Sequence, residues 1–148
     1  MRGGIKTMRT LSERMRDLSR QMSELNEQMK QLAEPTLSDY DLLPYIWSEF
    51  VAFSEHHGHN PMAVYERQKF LYASMLLYNP RALLGERMID GLRVALSDAI
   101  GVSGTVISNN IRDVRFFYEN YCEFSTEVDY FCAEISEKLQ GHRTSKRS

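Results

Sequence analysis

The stretch MRTLSERMRDLSRQMSELNEQMKQL repeats methionine at every seventh position. Met8, Met15, Met22 and Met29 alternate with Leu11, Leu18, Leu25 and Leu32 at spacings of three and four. A mean apolar period of about 3.5 residues belongs to a left-handed coiled coil, here with methionine at a and leucine at d. No polar residue interrupts these eight positions. So narrow a stripe rewards a helix only when it is buried against a partner. A helix lying on a membrane wants a broader apolar face with large aromatic residues, which this one lacks. Regular alternation with leucine also disfavours a methionine-lined ligand groove. The seam is therefore expected to pair with another helix, and self-association is the default because two-fold oligomers dominate. The g positions (Arg14, Gln21, Gln28) and e positions (Ser12, Ser19, Asn26) carry little charge. Helix number and orientation stay open, as does packing on the chain's own body.

Behind the heptads, a hydrophobic content of 43%, with 11% aromatics, is enough for a packed core. No apolar run approaches the roughly 20 residues that span a bilayer, and no apolar leader core follows Arg2 and Lys6. A cytoplasmic protein without membrane partners is expected. Cys122 and Cys132 lack CxxC spacing and read as reduced packing thiols.

No segment sustains period-two alternation, so the expected fold class is all-α: an N-terminal coiled-coil helix over 1–34, then a helical bundle. Residues 35–44, with Pro35 and Pro44, are read as a linker. The body is placed at 45–139. Its first helix carries Ile46, Trp47, Phe50, Val51 and Phe53 and closes near Gly58. A second is expected to be capped by Asn60 with Pro61 at its first position. Apolar almost all round after Phe70, this second helix is the expected centre of the body. Helical spacing resumes near Met88 and runs with interruptions to Leu139, and residues 140–148 are read as a disordered basic tail.

The stretch LRVALSDAIGVSGTVISNNIRDVRFFY has a short helix to Ile100, a glycine at Gly101 suited to a left-handed turn, and an N-cap at Ser103. Leu96, Ser97, Ile100, Gly101, Val102 and Ile107, with Ile111 beyond, follow the helix-turn-helix pattern of an apolar residue, a small residue, an apolar–glycine–apolar turn and a later apolar anchor. Over about 20 residues the chain resembles the helix-turn-helix DNA-binding superfamily of bacterial, phage and mobile-element proteins, the motif lying at about 92–118. Ser97 stands where alanine is commonest, and Asn110 where an apolar residue is frequent. At 100° per residue, Ile107, Ile111, Val114, Tyr118 and Tyr121 share one face, leaving Thr105, Ser108, Asn109 and Arg112 outward with Arg115 at the margin. The resemblance implies a recognition helix in the major groove, with Arg112 on guanine, Asn109 on adenine and the Thr105 methyl against thymine. Ser103 would face a phosphate. A solvated helix face would more often carry Glu and Lys, which are better helix formers than Ser, Asn and Thr.

Charge is unevenly spread: +2 over residues 1–34, −2 over 35–85, −5 over 86–139 and +3 over 140–148. The acidic body opposes DNA, whereas Arg2, Lys6, Arg9, Arg14, Arg16 and Arg20 and the tail residues Arg143, Lys146 and Arg147 favour it. EHHGHN gathers His56, His57 and His59, but adjacent histidines point apart, and no metal site is expected there. Without a phosphate loop, nucleophile elbow or supported carboxylate pair, neither an enzyme nor a cofactor is expected. The function expected is oligomeric double-stranded DNA binding, as a transcription regulator or a phage or mobile-element factor. A small terminase is one model, though there the helix-turn-helix usually precedes the oligomerising helices. The rival is a coiled-coil scaffold that binds proteins and not DNA.

Overall fold

The computed structural model describes the backbone of residues 2–147 and the side chains of residues 10–141. Those residues form seven α-helices and no strand: α1 (Arg2–Leu32), α2 (Leu43–His56), α3 (Val64–Tyr78), α4 (Asp90–Ile100), α5 (Gly104–Asn110), α6 (Val114–Asn120) and α7 (Cys122–Arg147). Residues 1–34 and 35–148 make two compact units. No helix among the described residues is long and apolar enough to cross a membrane.

The first unit is one long helix, as its heptads require. Its row stands exposed in the single chain, from Met29 at 48% to Leu32 at 83%; the Met8 side chain lies outside the described residues.

In the second unit α3 is the axle. Every residue from Phe70 to Met75 is buried, and α2, α5, α6 and α7 all pack on it. Leu43, Ile46 and Phe50 of α2 and Leu92, Leu96 and Ile100 of α4 add one side of the core. Phe124, Val128, Phe131, Ile135 and Leu139 of α7, spaced three or four apart, add the other. Aromatic edges knit the layers: Phe50 meets Phe131 at 5.2 Å, and Tyr72 stacks on Tyr118 at 4.3 Å.

Several boundaries differ from those expected. Residues 35–44 are not a loose linker. The Thr36 and Leu37 N–H groups both donate to the Leu77 carbonyl at 2.9 Å, Leu37 is buried, and Pro44 sits in the first turn of α2. A proline there costs nothing, because an N–H in the first turn has no intrahelical partner. Asn60 does not cap a helix. Its Oδ1 accepts from the Met62 N–H at 3.0 Å, forming a turn, and α3 begins at Val64. At the C-terminus α7 runs through 140–147, which the sequence suggested was disordered. A single glycine, Gly141, costs a helix only about 1 kcal/mol and does not end it.

Candidate nucleic-acid interface

Helices α4 and α5 are joined by residues 101–103. Gly101 has φ +84°, the left-handed conformation that lets α4 stop in one residue. Ser97 locks the turn, since its carbonyl accepts from the N–H groups of Gly101 (2.9 Å) and Val102 (3.2 Å) while its hydroxyl donates to the Val102 carbonyl. The serine that stands where alanine is commoner is therefore a turn fastener. Ser103 caps α5, its Oγ accepting from the Val106 N–H at 3.2 Å. Ile107 and Val114 are buried, as the wheel requires.

The helix expected to continue from Ser103 through Tyr121 is broken twice. After Asn110 the chain tightens into a 3-10 turn, Ile111–Asp113. The Gln68 Nε2 donates to the Asn110 carbonyl at 3.1 Å, and the Val114 N–H, which a continuous α-helix would offer to that carbonyl, goes to Ile111 instead. Ser108, Asn109 and Asn110 resist this weakly, being poor helix formers. The second break is at Tyr121, which is extended at φ −112°, ψ 107°. Helix α7 starts at Cys122, and Tyr121 is 45% exposed instead of joining the inner face.

Of the expected contact residues, Thr105 and Asn109 are exposed on α5, one turn apart, and Arg112 is exposed on the 3-10 turn. Ser103 is exposed with its hydroxyl at the cap. Ser108 is half-buried and accepts a long 3.5 Å contact from Arg93 of α4. Arg115, exposed on α6, is paired with Glu119 at 2.9 Å. Beside Ser108 lies a small cleft of about 180 Å³ flanked by Arg87 and Arg93. These two arginines escaped the sequence reading because they precede the motif or sit in its first helix.

The acidic balance of the body has an address. Residues 87–115 hold four arginines against three aspartates, whereas residues 119–138 hold six acids against Lys138. Those later acids belong to the end of α6 and to α7, which packs on α2, α3 and α6, while α5 packs on α3 and α4.

A second constellation, absent from the sequence reading, is built around Lys69. This lysine is 1% exposed on α3, with Nζ 2.5 Å from Glu66 and in still closer contact with Glu127 of α7. Glu66 accepts in turn from the Ser54 hydroxyl at 2.9 Å. The free oxygen of Glu127 lies 3.6 Å from His59 Nε2, and Glu123 completes a group whose ligand atoms lie within 4.8 Å of one another. Burial pulls the Lys69 ammonium down, but the hydrogen bonds it donates to Glu127 and Glu66 more than offset this and hold it above its ordinary value. The sequence carries no local signal for it, because Glu66 and Lys69 stand in a polar run ahead of the apolar stretch that begins at Phe70.

Of the three clustered histidines, His57 bonds its own helix through the Phe53 carbonyl at 2.8 Å, and only His59 reaches α7 in this way. Cys132 is half-buried, its thiol pushed up to about 12 by burial and then by Asp129, which suits a packing role. Neither a family model, a curated protein nor a solved structure matches the chain.

Proposed function

We propose that the chain binds double-stranded DNA as an oligomer, with α4 and α5 acting as a helix-turn-helix and α1 as the coiled coil that joins the reading heads. The observation that carries this reading is the corner at Gly101. A fastened left-handed turn presents a helix whose outer side, Thr105 and Asn109 followed by Arg112, is short, polar and exposed. Short hydrogen-bonding side chains suit base edges in a major groove about 12 Å wide, and α5 is only about 10 Å long, so its whole length can enter. Residues 87–115, with four arginines against three aspartates, are slightly basic where the chain as a whole is acidic. Arg112 stands exposed there, although Arg87 and Arg93 share Asp90 and Arg115 pairs with Glu119.

Each head offers few phosphate contacts, so joining heads matters. A coiled coil turns binding of the second head into an intramolecular step at high effective concentration. The exposed seam from Leu11 to Leu32 is the surface for that joining. A regulator or a packaging factor of a phage or mobile element fits this arrangement equally.

The test is fluorescence anisotropy on duplex DNA across a salt series. Arg112→Ala and Asn109→Ala should each weaken binding by about 1–3 kcal/mol, or roughly 5- to 150-fold, and wild-type affinity should fall steeply with salt. Unchanged affinity in both variants, or no binding at low salt, would move the assignment to a scaffold.

A further inference from the structure

We propose that His59, Glu123 and Glu127 form a binding site for a divalent transition cation of zinc's kind, clasping the turn after α2 to the first turns of α7. Three independent features point there. The donor set is imidazole plus two carboxylates, which suits a borderline ion such as zinc better than magnesium or calcium. The spacing fits: His59 Nε2 and Glu127 Oε1 are 3.6 Å apart, and ligands about 2.1 Å from one tetrahedral ion lie about 3.4 Å apart. Glu123, exposed and one helical turn before Glu127, lies within 4.8 Å and closes the group by a side-chain shift of about 1 Å, since ligands of one such ion lie at most about 4.2 Å apart.

The third feature is charge. Glu66, Glu123 and Glu127 bring three negative charges toward a single buried ammonium, Lys69. A divalent cation with neutral His59 would balance the two that remain. Lys69 does not obstruct the ion, because it holds Glu127 by Oε2 and leaves Oε1 turned to His59. It fixes the carboxylate's orientation, as outer partners of metal ligands commonly do, and Glu66 and Ser54 fix Lys69 in turn. His59 itself is positioned by its N–H, which donates to the Ser54 carbonyl at 2.9 Å. Water would complete the tetrahedron. The inference does not depend on the DNA reading.

The experiment is calorimetric titration of the chelator-treated full chain with zinc chloride, beside thermal unfolding and circular dichroism. One equivalent should bind, magnesium should not compete, and saturation at a hundredfold excess over Kd should raise Tm by roughly 5–10 °C. His59→Ala and Glu123→Gln, which alter side chains at the surface, should keep the helical spectrum and each lose at least about tenfold in affinity. Absence of stoichiometric uptake would overturn the proposal and leave His59 and Glu127 as a plain side-chain contact. Uptake that survives both substitutions would also overturn it, placing the ion elsewhere in the chain.

Discussion

Replacing Lys69 by methionine isolates the most consequential buried charge in this fold. The side chain is 1% exposed, methionine nearly matches its length, and the substitution removes the cation that touches both Glu66 and Glu127. Glu66, 5% exposed, would be left with a single hydrogen bond, from Ser54. Breaking a buried pair by removing one partner costs about 3–5 kcal/mol. The low end applies here, because Ser54 remains and Glu127 is partly solvated, so we expect about 3 kcal/mol. That corresponds to a fall in Tm of roughly 6–12 °C for a chain of this size.

The pH dependence identifies the cause. In the wild type the Lys69 value is raised on folding. Its contribution is therefore present below about 10.5 and lost only as pH rises through the higher folded value. A Lys69→Met/Glu66→Gln double variant should recover much of the loss, since a neutral replacement strands no charge. Urea unfolding at several pH values provides the assay. A deficit under about 1 kcal/mol, or a double variant no better than the single, would show that no charge is stranded by the loss of Lys69.

Other substitutions probe the remaining devices. Gly101→Ala should cost about 1–2 kcal/mol by denaturant unfolding; nothing lies near the added Cβ, so the cost is that of an L-residue at φ +84°. Ser103→Ala should cost about 1 kcal/mol through the lost cap to Val106. Asn110→Leu should raise stability by about 1 kcal/mol in the same assay, because the Asn110 Oδ1 is buried without a hydrogen-bond partner among the described residues. Leu18→Lys with Met22→Lys, both on the exposed seam, should turn an oligomer into a monomer in sedimentation equilibrium while leaving the body folded.

Much of this architecture was legible because its signals are local. Seven-residue spacing announces α1, the all-round apolar run after Phe70 announces a buried α3, and Gly101 with Ser103 announces the α4–α5 corner. Features that escaped depend on partners far along the chain. Nothing near Asn110 says that Gln68, 42 residues earlier, will take its carbonyl and break the helix there. Lys69 likewise looks like an ordinary surface residue until Glu127, 58 residues later, is brought onto it. His59 was weighed against its neighbours His56 and His57, whereas its companions sit at the start of α7. Leu37 reads as part of a linker because the Leu77 carbonyl that receives its N–H belongs to another helix.

An oligomer that reads duplex DNA through α5 should select a site of its own. The most direct measurement is selection of bound fragments from a random duplex library at near-physiological salt, run in parallel with an Arg112→Ala/Asn109→Ala double variant. The wild type should enrich a motif of two half-sites, centred about 10 base pairs or a multiple of that apart, which the variant fails to enrich. Enrichment by neither protein, from a confirmed oligomer, would contradict it and leave the heptad helix as the spine of a protein scaffold.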